Sequence, residues 1–135
     1  MPMVPSPIAA LAYGTVKVVG YAYFAKGLNS ATGESVRPYR FGVVKTAIGL
    51  AGGITYLYFV SRYSKPNTSD TAVFLGAIPV RTAAWSIALG VFYGFRNRTR
   101  TISLAVLVGT GWSYALDGFM WVVYKLLPGM VMPFC

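Results

Sequence analysis

The sequence predicts an all-α polytopic membrane protein, a four-transmembrane-helix bundle that forms one domain over residues 1–135. Of its residues, 56% are hydrophobic and 16% aromatic, and only 11% are charged. A soluble globular domain carries charge on about a quarter of its residues, and a basic disordered chain is poor in aromatic side chains. The third observation is a set of four long apolar runs, since one membrane crossing takes about 20 apolar residues.

Each apolar run ends at polar or basic residues. Pro7 suits the first turn of the first helix, because the backbone donors of that turn have no partner within the helix. The third run contains Pro79, whose ring removes a helical hydrogen bond and frees the carbonyl of Leu75, so we expect a kink there. The predicted spans cover approximately residues 7–25, 41–60, 71–95 and 101–127.

The excess of basic residues predicts the orientation of these spans. The chain has 12 Lys and Arg residues against 3 Asp and Glu. Six basic residues lie in the first and third predicted loops and three on the opposite side. Because cytoplasmic loops carry the excess of Lys and Arg, both termini are predicted on the non-cytoplasmic side. The six are Lys26, Arg37, Arg40, Arg96, Arg98 and Arg100, and the three are Arg62, Lys65 and Lys125.

The same charges bear on the partners of the protein. They lie at helix ends and do not form the water-facing basic stripe that nucleic acid requires, so no nucleic-acid partner is predicted. Membrane lipids are the expected partners, with anionic head groups at Arg96, Arg98 and Arg100. The spacing of Gly49 and Gly53 allows close helix packing, either within the chain or in a homo-oligomer or larger membrane complex.

Three ionisable residues lie well inside the apolar runs. They are Lys17, Arg81 and Asp117, and each costs about 2.5 to 3.5 kcal/mol at the centre of a spanning helix. Each lies ten residues from the outer end of its span, which is about 15 Å along a helix. Charges at one depth in lipid are expected to face one another. We therefore predict a buried Arg81–Asp117 pair with Lys17 close by, leaving one net positive charge.

Polar and aromatic residues accompany these charges at helical spacing. In the fourth run one face carries Thr110, Ser113, Tyr114, Asp117, Trp121 and Tyr124. A face of the second run carries Lys45, Gly49, Gly52 and Tyr56, where Lys45 lies near the membrane boundary and is expected to snorkel outwards. The candidate site has Asp117 as its catalytic proton donor or acceptor, and its ligand-binding residues are Lys17, Arg81, Tyr114, Trp85 and Trp121.

Much chemistry is excluded by composition. The sequence has no histidine and a single cysteine, Cys135. A zinc site, a haem histidine ligand and a Ser-His-Asp triad are therefore not expected. The three acidic residues, Glu34, Asp70 and Asp117, fall in separate segments, which disfavours acid–base catalysis by paired carboxylates. No metal and no cofactor is predicted.

The second half of the chain resembles small four-helix membrane proteins of the DoxX-like type. The resemblance rests on the run from Arg81 through Trp85 to Gly90, the basic turn that follows, Gly109, and the Asp117-Gly118 pair. It implies a four-helix bundle, but it does not specify an activity, because one fold supports many functions.

Three classes of function are consistent with the sequence. The favoured one is an accessory, assembly or structural membrane subunit in which the Arg81–Asp117 pair holds the helices in register. An alternative is a membrane-embedded enzyme or binding protein for a terpenoid, quinone or lipid, with Asp117 exchanging protons. A further alternative is an oligomeric transporter or channel subunit for a small anion. Whether the protein is an enzyme is left open by the residues.

Overall fold

All regular elements of the described chain are α-helices. The computed structural model describes residues 7–64, 69–94 and 99–126. Its helices are α1 (Pro7–Thr32), α2 (Pro38–Tyr63), α3 (Asp70–Gly76), α4 (Ile78–Tyr93) and α5 (Thr99–Leu126). The predicted all-α fold is thereby confirmed.

The first connection is shorter than the sequence predicts. Helix α1 continues to Thr32 and does not end at residue 25. It ends at Gly33, which has a φ of +73° and donates its N–H to the carbonyl of Asn29 at 2.8 Å. Such a left-handed residue after the last helical turn is the usual helix terminator, and glycine adopts it without a steric penalty. Helix α2 then begins directly at Pro38, in the first-turn position that proline favours.

The predicted kink near Pro79 is present as a break between α3 and α4 at Ala77. Pro79 has no N–H to offer the carbonyl of Leu75, which instead accepts from the N–H of Ala77. The helix resumes with the N–H of Arg81 donating to the carbonyl of Ala77 at 3.0 Å. Pro79 therefore sets the position of Arg81 at the start of α4.

The break also leaves backbone carbonyls in α3 available to other helices. The Tyr56 hydroxyl of α2 donates to the carbonyl of Val73 at 2.8 Å. The Tyr114 hydroxyl of α5 donates to the carbonyl of Phe74 at 3.0 Å. The carbonyls of a last helical turn need partners from outside the helix. These two tyrosines supply them and hold α3 against the bundle.

Three helical segments are long and apolar enough to cross a membrane, among the residues described. They are Pro38–Tyr63, Thr71–Tyr93 and Arg100–Val123. Helix α1 has 26 residues, or about 39 Å at 1.5 Å per residue, which is sufficient length. Its apolar run is interrupted by Lys17, Lys26 and several tyrosines, so it is not one of the three. Three of the four predicted spans thus have spanning character on composition and length.

The four long helices form a closed ring in which α1 contacts α2 and α5, and α4 contacts the same two helices. One half of the ring, called here the filled half, contains the end of α1, the start of α2, the end of α4 and the start of α5. Its core is closely packed and has Trp85 at its centre, with the rings of Phe24 and Tyr21 at 4.7 and 5.4 Å. Around it lie Ala25, Phe41, Ala88 and Leu89, which are fully buried.

A glycine allows the central tryptophan to fit. A Cβ atom at Gly109 of α5 would lie 2.6 Å from the ring of Trp85, a distance that real contacts do not reach. The absence of a side chain therefore lets α4 and α5 approach each other. Large apolar side chains are instead exposed on the outer faces, as expected of helices that face lipid. On α2 these include Val43, Leu50, Ile54, Tyr58 and Phe59.

Candidate functional site: a buried charge cluster beside an apolar cavity

Asp117 is at the centre of a buried charge cluster. Only 4% of its surface is exposed. Its Oδ1 accepts from Lys17 Nζ at 2.5 Å and from the Tyr13 hydroxyl at 3.0 Å. Its Oδ2 accepts from Nη1 of Arg81. The structure forms the predicted Arg81–Asp117 pair and brings Lys17 into direct contact with the same carboxylate, so a single side chain of α5 connects α1 and α4.

A chain of hydrogen bonds extends from this cluster towards the filled half. Lys17 Nζ donates to the Tyr21 hydroxyl and to the backbone carbonyl of Ser113, both at 3.4 Å. The Tyr21 hydroxyl and Ser113 Oγ share a hydrogen bond of 2.9 Å. Ser113 Oγ also accepts from the indole N–H of Trp85 at 3.0 Å. Polar groups that would otherwise be unsatisfied in an apolar core are paired in this way.

Lys45 is the main correction to the sequence interpretation. It does not snorkel outwards, because it is only 2% exposed and its side chain runs into the bundle. Its Nζ lies 4.8 Å from the ring centroids of both Tyr21 and Trp85. Within the described ranges no hydrogen bond or ion pair involves this Nζ, so its partners are the two aromatic faces.

The start of α2 explains why Lys45 is buried. The helix begins at Pro38, which places Lys45 about 10 Å along it at 1.5 Å per residue. The predicted span began at residue 41, too close to Lys45 for burial to be expected. One turn further on, Gly49 has no side chain, and its Cβ position is 3.6 Å from Lys45 Nζ. This is an ordinary van der Waals distance, so the lysine side chain lies against Gly49 without depending on its missing side chain.

The cluster therefore carries more positive charge than predicted. Lys17, Lys45 and Arg81 are three cations and Asp117 is one anion, which gives a formal charge of three minus one, or +2. The predicted value was +1, because Lys45 was assigned to the membrane boundary. Buried charges in a low-dielectric interior are costly unless they are paired. The excess charge on Lys45 is accordingly the feature of the site that requires an explanation.

A cavity of about 270 Å³ occupies the half of the ring opposite the filled half. All three cations of the cluster line it, together with Tyr13, Tyr21 and Ser113. The remaining wall is mainly apolar and comes from α1, α2, α3 and α4. It includes Ala10, Gly14, Leu50, Gly53, Leu57, Val73, Phe74, Val80 and Ala84. A mainly apolar pocket with a few convergent polar groups is the usual form of a small-molecule site.

The aromatic residues predicted for the site have different positions. Tyr114 lies beside the cluster, with its ring centroid 4.3 Å from Cζ of Arg81. Trp85 is fully buried and supports Lys45 from the filled half, without being part of the cavity wall. Trp121 requires a correction, because it is 50% exposed and lies under Nζ of Lys125 at 3.7 Å. It is four residues from Asp117 but is not brought to the cluster.

Tyr13, whose hydroxyl donates to Asp117, was not among the predicted ligand-binding residues. It shares a face of α1 with Lys17 at four-residue spacing, and this was the available signal. Of the predicted head-group residues, Arg100 is exposed at the start of α5. Arg96 and Arg98 lie outside the described residues.

Comparison with known proteins gives no relatives for this chain. It matches no protein-family model, and no match is found among curated proteins or among solved structures. Its function is therefore inferred from the chemistry of the cavity and the charge cluster.

Proposed function

We propose that the protein is a four-span integral membrane protein with both termini on the non-cytoplasmic side, of the DoxX-like type that its second half resembles. Three spanning segments support this, and α1 lies in the same ring, in contact with α2 and α5. Lys17, one of the residues that make α1 polar, is paired with Asp117 inside the bundle. Pairing within the bundle is what allows a charged residue to lie at membrane depth.

We further infer that the bundle binds a small lipophilic molecule that carries an oxygen function. The observation that supports this most directly is the contrast between the two halves of the ring. A purely structural bundle would be packed at both ends, because protein interiors leave few voids larger than a water molecule. Here one half is closely packed and the other contains a cavity of about 270 Å³ with three cations in its wall.

The residues of the cluster have separate tasks in this proposal. Asp117 neutralises part of the charge of Lys17 and Arg81 and holds both side chains at the cavity wall. Tyr13 lines the cavity, and its hydroxyl donates to Asp117. Lys17 also lines the cavity and contacts the same carboxylate oxygen, so Tyr13 and Lys17 each offer a path for a proton between a bound ligand and Asp117. The aromatic and aliphatic wall excludes water and binds the apolar part of the ligand.

A structural role remains the second candidate, and a specific observation favours it. The Asp117 carboxylate joins α1, α4 and α5 through Lys17 and Arg81. Such a junction fixes helix register whether or not a ligand is bound. A subunit of this kind needs the charge cluster but has no use for an open cavity.

Filling the cavity distinguishes the two candidates. Gly14 lines the cavity and a Cβ there would meet no atom within 4 Å, so Gly14→Leu projects into empty space. Gly111→Leu is the matched control, because Gly111 is exposed on α5 and its Cβ position is equally open. Binding of an uncharged lipophilic probe, decanol, to purified protein in lipid nanodiscs is the measurement. Gly14→Leu should abolish saturable binding and Gly111→Leu should preserve it. Equal binding by both variants would contradict the proposal.

A further inference from the structure

Lys45 is a buried cation for which the described chain provides no counter-ion. Lys17 and Arg81 each contact an oxygen of Asp117, whereas Lys45 Nζ has no ion pair or hydrogen bond among the described residues and lies 4.8 Å from the ring centroids of Tyr21 and Trp85. The side chain is 2% exposed, and the residue lines the cavity. An ammonium group has three hydrogen-bond donors. Those of Lys45 are therefore available to a molecule in the cavity.

We propose that the ligand of this cavity is a lipophilic anion whose single oxyanion head group, such as a carboxylate, binds Lys45 Nζ. This inference rests on the proposed function, because it requires the cavity to be a binding site. One anionic group lowers the formal charge of the cluster from +2 to +1 and gives each cation an anionic partner. A neutral alcohol or ketone would leave the cation of Lys45 uncompensated.

The surroundings of Lys45 hold it in place for this contact. Trp85 and Tyr21 lie on the side of the filled half, and each presents a ring face at 4.8 Å from Nζ. Cation–π contacts of this kind stabilise an ammonium group without using its hydrogen-bond donors. Both rings are themselves fixed, since the indole N–H and the phenol hydroxyl bind Ser113. The head-group site is thus ordered before a ligand arrives, which reduces the entropy lost on binding.

The size of the cavity limits the apolar part of the ligand. An empty apolar cavity of about 150 Å³ accommodates benzene. By proportion, the cavity of about 270 Å³ accommodates roughly ten to eleven non-hydrogen atoms. A carboxylate with about eight or nine carbons has this size, and decanoate is about one atom larger. Its tail would lie against Leu50, Leu57, Val73, Phe74 and Val80.

Three probes separate the contributions of head group and tail. Decanoate has both, decanol has the same chain without the charge, and acetate has the charge without the chain. Each is titrated into the full-length protein in nanodiscs of neutral lipid, with protein-free nanodiscs as the blank for partitioning. The wild-type protein should bind decanoate about tenfold or more tightly than decanol, because charged hydrogen bonds are stronger than neutral ones. Acetate should not compete with decanoate at comparable concentration, since it cannot use the apolar wall.

Variants of Lys45 assign the preference to this residue. Lys45→Met keeps an unbranched side chain without its charge, and it should lose most of the preference for decanoate over decanol. Lys26→Met is the matched control, because Lys26 is an exposed lysine of α1, and it should keep the wild-type preference. Lys45→Arg restores a cation and should recover most of the preference.

The possible results have distinct meanings. If the wild-type protein binds decanol and decanoate equally, the head-group assignment is wrong and the proposed function stands. If it binds neither, both proposals fail. An undiminished preference in Lys45→Met would overturn the assignment of the anion to Lys45. Should Lys45→Met not fold, the comparison of decanol with decanoate on wild-type protein still decides whether the site prefers an anion.

Discussion

Replacement of Asp117 by asparagine tests the junction of the bundle. The change keeps the size of the side chain and removes the only carboxylate that contacts Lys17 and Arg81 in the described structure. The formal charge of the buried cluster then rises from +2 to +3. The asparagine carbonyl oxygen can still accept a hydrogen bond, so the contact with Tyr13 can remain. The expected loss therefore comes from the two ion pairs.

The size of that loss follows from the burial of the site. The side chains of Asp117, Lys17 and Arg81 are 6%, 4% and 11% exposed, so solvent screens these charges little. Breaking a buried ion pair by removing one partner costs about 3 to 5 kcal/mol. At 1.36 kcal/mol per factor of ten, the ratio of folded to unfolded protein should fall by about 10² to 10⁴.

Reversible unfolding in mixed micelles provides the assay. Sodium dodecyl sulfate is titrated against a non-ionic detergent, and helix content and tryptophan fluorescence are followed. Glu34→Gln is the control, because it is the same change at an acid exposed between α1 and α2. An exposed substitution of this kind should alter the free energy of unfolding by less than about 0.5 kcal/mol. A loss below about 1 kcal/mol for Asp117→Asn would refute the idea that this carboxylate holds the three helices together.

Two further substitutions test the packing next to the site. Gly109→Ala should destabilise the protein by about 1 to 3 kcal/mol, because its Cβ overlaps the ring of Trp85. The control, Gly111→Ala, should be neutral or stabilising. Equal unfolding midpoints for the two variants would contradict the packing of Trp85 against Gly109. Ser113→Ala leaves the indole N–H of Trp85 without its acceptor and should cost about 1 to 3 kcal/mol by the same unfolding assay. A Ser113→Ala variant as stable as the wild-type protein would show that this hydrogen bond does not stabilise the fold.

The ion pair could be predicted from sequence because of the physics of the membrane. A charge in the middle of an apolar run is expensive, so it must find a partner, and the chain offers few candidates at the same depth. Asp117 and Arg81 each lie ten residues from the outer end of a predicted span, so spacing alone placed them at the same depth. The break at Pro79 was predictable for a similar reason, since the missing N–H has a local effect that does not depend on tertiary packing.

The environment of Lys45 could not be predicted in the same way. A lysine near the end of an apolar run normally reaches the interface, and the predicted start of the second span placed Lys45 near that end. Only the actual start of α2 at Pro38 and the low exposure of Lys45 reveal that the side chain runs inwards. The rotation of a helix about its own axis depends on all its neighbours, and its sequence pattern leaves that rotation uncertain by tens of degrees.

Trp121 is the opposite case, because it was predicted to lie at the charge cluster and the structure places it elsewhere. Its spacing from Asp117 suggested a shared face, yet its ring is half exposed and contacts Lys125. Four residues correspond to slightly more than one helical turn, so Trp121 keeps nearly the same side of α5 as Asp117 but lies about 6 Å further along the helix axis. Tyr114, three residues from Asp117 on the other side, does lie beside Arg81. Periodicity therefore identified the helix face but not how far along the helix the charge cluster extends.

The central claim is that the cavity binds a small lipophilic ligand, and native mass spectrometry of the purified protein tests it most directly. The protein is released from non-ionic detergent, and each peak is compared with the mass of the chain. We predict an adduct of one small acidic lipophile on the wild-type protein and on Gly111→Leu, absent from Gly14→Leu. Identical spectra for all three proteins, with no adduct that depends on Gly14, would contradict the claim and favour the purely structural role.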